Sequence, residues 1–251
     1  MSSAPPHSGV SAFVQRRLAR GVPYGLGFTL AVLAIVAGLW GFLAIVDSVT
    51  EADALARFDT HAHDVVYQAV GPDNLWIVRR VTWLANNATL IAFVVLGMLA
   101  LTATRRYWSA FRLGVASGIG GLIVMGLKNL FQRGRPLEQV IPAHGYSLPS
   151  GHAFAATVFY GFLIYLTFRV TDRAGPRVAA AVVGGAIILA VGLSRVYLNV
   201  HFLTDVVAGW TVGATWLIAS QLMISGVERR TRSGTERRDE RERPEDDATP
   251  E

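Results

Sequence analysis

Residues 149–170 read PSGHAFAATVFYGFLIYLTFRV. No charged residue stands between His152 and Arg169. The run is close to the ~20 apolar residues that a helix needs to cross a bilayer, and a helix satisfies its own backbone hydrogen bonds there. It opens on Ser150-Gly151-His152, so the backbone N–H groups of its first turn point out of the helix start. Gly151 lets a ligand approach them closely, and Ser150 adds a hydroxyl donor. The stretch predicts a membrane-spanning helix with a polar, anion-seeking mouth.

Outward from it, five more apolar blocks recur at 25–46, 81–104, 109–130, 178–197 and 205–225. Together they predict an all-α fold, an integral membrane bundle of six transmembrane helices with both termini on one side. The composition agrees: 52% of the 251 residues are hydrophobic and 16% charged, against about 25% charged in soluble domains. The first block follows Arg16, Arg17 and Arg20 but is longer than a signal-peptide core and has no clear cleavage site after it. It reads as the first span. There is no cysteine, which excludes disulfides and thiolate metal sites.

The expected organisation is an N-terminal tail over 1–20, a membrane domain over 21–226 and a disordered charged tail over 227–251. Seven arginines and nine acids lie between 228 and 251, so that segment is −2 and the rest of the chain +7 of the net +5. The basic excess belongs to the membrane part, pointing to topology and an anionic ligand rather than to nucleic acid. Sidedness follows from arginine and lysine placement: 16 lie on the side of the termini and 7 on the other, or 9 against 7 without the tail. This predicts cytoplasmic termini and a periplasmic or extracellular face for the loops after the third and fifth spans.

Those two loops hold the polar chemistry. The first carries Lys128 and Arg135 and ends on Ser150-Gly151-His152; the second runs from Ser194-Arg195 through His201 to Asp205. Ionisable groups at a membrane edge are costly and usually functional. Lys128, Arg135 and Arg195 make a strong anion site, since arginine matches phosphate oxygens with paired donors. His201 and Asp205, four apart, share a face if helical, and the carboxylate can hold one ring nitrogen protonated while the other faces outward as a nucleophile. His152 is free to serve as general acid. No third ligand of the kind a zinc or two-metal site needs is present, so neither metal nor cofactor is expected.

The motifs KNLFQRGRP (128–136), PSGH (149–152) and SRVYLNVHFLTD (194–205) resemble the three signatures of the type 2 phosphatidic acid phosphatases, which are related in fold to vanadium-dependent haloperoxidases. All three are complete, ordered and correctly spaced, and the resemblance covers roughly residues 25–225. It implies that His201 attacks phosphorus and becomes a phosphohistidine, that Asp205 orients it, and that His152 protonates the leaving oxygen and then activates water. Lys128, Arg135, Ser150, Gly151 and Arg195 would hold the phosphoryl oxygens. Two positions depart from the common pattern, Asn199 and Leu203, where many members carry a small residue and a proline.

The substrate expected is an amphiphile with its phosphate in the cationic site and its tail in lipid: a polyprenyl diphosphate such as undecaprenyl diphosphate, ranked first by analogy, or phosphatidate, or phosphatidylglycerol phosphate. A phosphotransferase using the same intermediate and a non-catalytic lipid-binding or transport relative are the other readings, although the latter should have lost one of His152, His201 or Asp205. Other features have plainer readings. Gly114 and Gly118 have G-x-x-x-G spacing, which permits close packing within the bundle or a homodimer. Residues 55–70, inside the mixed segment 47–80, fit either an amphipathic helix at the outer interface or a solvated loop. His61, His63 and Asp64 resemble a metal cluster only at a glance. Ser194 reads as structural. Asn86 and Asn87 read as partners of neighbouring helices, and His144 and Tyr146 as loop or substrate-entrance residues.

Overall fold

The computed structural model describes residues 25–50 and 53–242. Within them lie eight α-helices: α1 Leu26–Thr50, α2 Asp53–Val70, α3 Leu75–Trp83, α4 Asn87–Ala103, α5 Tyr107–Phe131, α6 Gly151–Val170, α7 Ala174–Tyr197 and α8 Leu203–Glu242. Helices α1, α5, α6, α7 and α8 are each long and apolar enough to cross a membrane. A sixth candidate span is broken. Helices α3 and α4 pass the same test only as a pair, bent by 40°. Asn86 makes the break: its side chain accepts from the Ala88 N–H and caps α4. The expected block at 81–104 is therefore the second half of a span that starts at residue 72.

Helix α6 is the centre of the bundle, burying Ala153, Phe154, Ala156, Val158, Phe159 and Phe162 against its neighbours. Helix α1 lies at the edge, with Trp40 and Leu43 exposed, as lipid-facing residues are. The close approach expected at Gly114 and Gly118 is only partly found: Gly114 packs on Met98, whereas a Cβ at Gly118 would meet nothing within 4 Å. One seam, between α6 and α8, is closed by backbone rather than by a side chain. A Cβ at Gly209 would stand 2.6 Å from the Ser150 carbonyl oxygen and 3.0 Å from the Ala153 Cβ. Gly209→Ala should therefore push the first turn of α6 away. We expect a loss of about 1–3 kcal/mol of stability, read by thermal melting in detergent. A wild-type melting temperature would contradict this seam.

Of the two readings open for residues 55–70, the helix is found, and α2 packs on the bundle. Its buried face recurs at Asp59, Ala62, Val66 and Tyr67, the helical period; Tyr67 stacks on Tyr197 with ring centroids 5.1 Å apart. His63 Nδ1 donates to the Val196 carbonyl at 2.8 Å, so it packs rather than gathers a metal. One expectation is corrected, that of a disordered tail over 227–251. Helix α8 continues to Glu242, and Glu228 is buried in an ion pair with Arg112 at 2.7 Å. A buried arginine inside a span needs a carboxylate, and residue 228 supplies it. The expected tails at 1–20 and beyond 242 lie outside the described residues.

Candidate active site

Three chain segments meet at one end of the bundle: the last turn of α5 with the loop after it, the first turn of α6, and the turn between α7 and α8. Helix α5 ends because Gln132 takes a left-handed φ of 48°, its N–H bonding back to the Lys128 carbonyl. The loop beyond is fixed by its own arginines. Arg135 donates to the carbonyls of Gly145, Val200, His144 and Tyr146 at 2.6 to 3.3 Å. Lys128 donates to the carbonyls of Tyr146 and Ser147 at 2.7 and 3.2 Å. His144 and Tyr146 thus serve through their backbone. Asn199 holds a left-handed φ of 49° and donates to the Glu138 carbonyl. Asparagine tolerates that backbone region where most residues do not, which accounts for a departure that the sequence leaves unexplained.

Ser150 occupies the cap position of α6, but its hydroxyl makes no capping bond. That oxygen is buried and has no partner among the described residues, and the same holds for Arg195 Nε. Buried polar groups are nearly always satisfied, so two orphaned donors in one place mark a site for an acceptor. Arg195 is anchored from its other end, NH1 donating to Thr82 Oγ1 at 2.8 Å. The Ser194 hydroxyl donates to the Val191 carbonyl within α7 and faces no ligand. A Cβ at Gly151 would stand 3.8 Å from the Lys128 Cε. His152 lies within electrostatic range of Arg195, His201, Arg135 and Lys128, so the eight residues singled out in the sequence converge.

The pair expected on one helical face is built differently. His201 stands in the bend before α8, and Asp205 is in its first turn. Asp205 Oδ2 accepts from the Phe202 N–H at 3.0 Å and lies 3.5 Å from His201 Nδ1. At 3.5 Å the contact is electrostatic rather than a short hydrogen bond. Arg135 NH1 approaches the opposite ring nitrogen, Nε2, at 3.2 Å. A guanidinium can only donate, so Nε2 carries the lone pair and Nδ1 the proton, facing the carboxylate. His201 is 3% exposed. Burial pushes its imidazole down to about 4, the charges of Lys128 and Arg135 act in the same sense, and Asp205 acts against them. The ring is neutral at physiological pH, with its nucleophilic lone pair intact.

Asp205 has a second partner that the sequence reading missed. Its Oδ1 accepts from Arg133 NH1 at 2.6 Å, and Arg133 NH2 donates to Asp59 Oδ2 at 3.0 Å. Asp59 in turn accepts from the Thr204 N–H and hydroxyl at 3.0 and 2.7 Å. The guanidinium also lies over the Phe202 ring. Arg133 was legible only as one more charge on the outer side. The signal that could have found its partner is Asp59 itself, an acid at an apolar-stripe position of an amphipathic helix, which calls for a buried cation.

Residues 109–229 match the model of a family described as the PAP2 superfamily. The chain is 28% identical over 139 residues to phosphatidylglycerophosphatase B of Bacillus subtilis (strain 168), an alignment spanning 55% of this chain and 68% of that protein. Its fold matches the crystal structure of a transmembrane PAP2-type phosphatidylglycerolphosphate phosphatase from Bacillus subtilis, with a TM-score of 0.69, 23% identity and coverage of 78% of this chain and 96% of the other. Aquifex aeolicus LpxE matches with a TM-score of 0.53, 20% identity and coverage of 64% and 93%. At those identities the two structures speak for the fold.

Proposed function

Since the chain belongs to the PAP2 superfamily and is a membrane lipid phosphatase, we propose that it removes the terminal phosphate of a lipid through a phosphohistidine on His201, at the outer face of the membrane. The observation that carries this reading is the polarised imidazole. His201 Nε2 faces the Arg135 guanidinium, where a phosphoryl oxygen would bind, while Nδ1 faces Asp205.

In the first step the Nε2 lone pair forms a bond to phosphorus. The bond from phosphorus to the lipid oxygen breaks, and that oxygen takes a proton from His152. In the second step a water oxygen attacks phosphorus, its proton passes to His152, the P–N bond breaks and phosphate leaves. The phosphoryl oxygens gain charge in both transition states. Lys128 and Arg195, the Ser150 hydroxyl and the α6 N–H groups at Gly151 are donors for that charge, and Arg135, whose own donors are bonded to carbonyls and to His201, adds a fixed positive charge. Phosphoryl transfer needs little beyond such positioning and charge stabilisation.

The relative from Bacillus subtilis favours a phosphatidylglycerol phosphate as the first lipid to test. Polyprenyl diphosphate, placed first by analogy in the sequence reading, stands second, and phosphatidate third. The site grips phosphate and leaves the tail in lipid, so the choice rests on the groups next to the phosphate. Phosphate release from a panel of these lipids by the purified chain tests the assignment. Release with a single lipid present supports hydrolysis; phosphate that appears only when a second lipid acceptor is added, and then on that acceptor, overturns it in favour of transfer. Vanadate, which adopts the five-coordinate geometry of the transition state, should inhibit at concentrations below those of substrate, and EDTA should leave turnover within about twofold. Indifference to vanadate, or full loss with EDTA that Mg²⁺ restores, would refute the proposed chemistry.

A further inference from the structure

At the end of the bundle away from the histidines, α5, α6 and α8 leave an open cavity of about 270 Å³. Helix α5 starts there and α6 ends there, whereas Lys128 and His152 sit at their other ends. From residue 106 to residue 128 the α5 axis covers roughly 33 Å, so the cavity and the catalytic groups face opposite leaflets.

Arg105, Arg106, Arg112 and Arg169 line the cavity with one carboxylate, Glu228, a balance of four positive charges to one negative. The carboxylate bonds Arg112 and also lies within electrostatic range of Arg169. Arg112, 2% exposed, donates to Glu228 at 2.7 Å and to Gln221 and Ser225 beside it. Arg105 and Arg106 are exposed and have no ion-pair partner among the described residues. Arg169 spends one donor on the Tyr165 hydroxyl at 3.0 Å. Arg105 also holds a φ of 58°, a conformation that costs a non-glycine residue about 1–2 kcal/mol. A cation is kept at a turn where glycine would fit without strain.

The rest of the lining is apolar or interfacial: Leu166 and Val170 from α6, Tyr107 and Trp108 from α5. Beside it, Phe111 and Leu163 are 51% and 40% exposed on the flank of the bundle. Guanidiniums above an apolar flank fit an amphiphile whose headgroup is an anion and whose chains lie along the helices. Basic pockets between membrane helices bind phosphate headgroups in this way, and arginine pairs with phosphate through two parallel bonds. We propose that this cavity is a second, non-catalytic site that holds the phosphate headgroup of an anionic phospholipid in the leaflet opposite the active site. No histidine lines it, so the lipid is held there and not hydrolysed. The site is independent of which lipid phosphate the catalytic end accepts.

The test is retention of lipid by the full purified chain. Phosphatidylglycerol, phosphatidylcholine and inorganic phosphate are titrated separately, and bound lipid is counted by native mass spectrometry. Phosphatidylglycerol should bind in preference to phosphatidylcholine. Arg105→Ala, Arg106→Ala and Arg169→Ala together should weaken it by about a hundredfold, roughly fivefold for each arginine, with hydrolysis of a water-soluble phosphate ester unchanged. A chain with His201→Ala and Arg135→Ala should bind phosphatidylglycerol like the wild type. Equal retention of both lipids, or wild-type affinity in the triple variant, overturns the proposal. Displacement of the lipid by an equal concentration of inorganic phosphate overturns it in favour of a free-anion site. Should the triple variant fail to fold, Arg106→Ala alone, which removes an exposed side chain, should still cost about fivefold, and unchanged binding would overturn the proposal equally.

Discussion

Replacing His201 with alanine should abolish phosphate release, with kcat falling by at least about 10⁴-fold, the scale seen when a covalent nucleophile is removed. Nothing else near phosphorus can take its place. His152 lies among the cations Arg195, Arg135 and Lys128 and has no carboxylate of its own to polarise it among the described residues, whereas His201 faces Asp205 at 3.5 Å. The fold should survive, because His201 sits in a bend and its neighbours Val200 and Leu198 carry the packing there. Two readouts decide the case. Turnover of the best lipid should vanish while the melting temperature holds, and acid-labile phosphate trapped on the wild-type chain during turnover should be absent from the variant. Activity within tenfold of wild type would remove His201 from the mechanism and leave direct attack by water as the alternative.

Arg133→Ala should be nearly as damaging, for a different reason. Asp59 and Asp205 have side chains that are 0% exposed, and Arg133 is the cation bonded to both. Removing one partner of a buried pair costs about 3–5 kcal/mol, because the remaining charge has neither water nor a counter-ion. Two carboxylates would be stranded here, although Asp59 keeps its bonds from Thr204. Asp205 would also lose the bond that fixes the oxygen opposite His201, and a shift of about 1 Å at such a site costs roughly a hundredfold in rate. Arg133 is a positioning residue, so the test must separate its two effects. The double variant Arg133→Ala, Asp59→Asn removes one stranded charge and should regain part of the stability. It should not regain kcat, because Asp205 stays unanchored, while KM should change little. Recovery of kcat along with stability would show that Arg133 acts on folding alone.

This network joins α2 to the turn that carries His201. It explains why the segment between the first two spans is a packed helix and not a connecting loop. Tyr67 on Tyr197, His63 on the Val196 carbonyl and Asp59 on Thr204 hold α2 against the same turn from three sides. A site that must stay within a few tenths of an ångström needs such support around its first ring of residues.

Much of the site was legible in the sequence, and the reason is local. Membrane spans announce themselves by composition over about 20 residues, and the candidate site residues fall within three short segments whose spacing is fixed by the turns and helix ends they build. The candidate spans, the convergence of Lys128, Arg135, Ser150, Gly151, His152, Arg195, His201 and Asp205, and the likeness to the family follow from that. The tertiary structure alone decided the rest. The break at Asn86, the helical state of 55–70, the burial of Glu228 in a segment expected to be disordered, and the bridge from Asp59 through Arg133 to Asp205 each depend on a partner far away in the chain: Glu228 on Arg112, and Arg133 on Asp59. A charged residue in sequence looks the same whether it faces water or a counter-ion 116 positions away; which of the two it meets is settled only when the helices pack and the desolvation of each charge has to be offset by another.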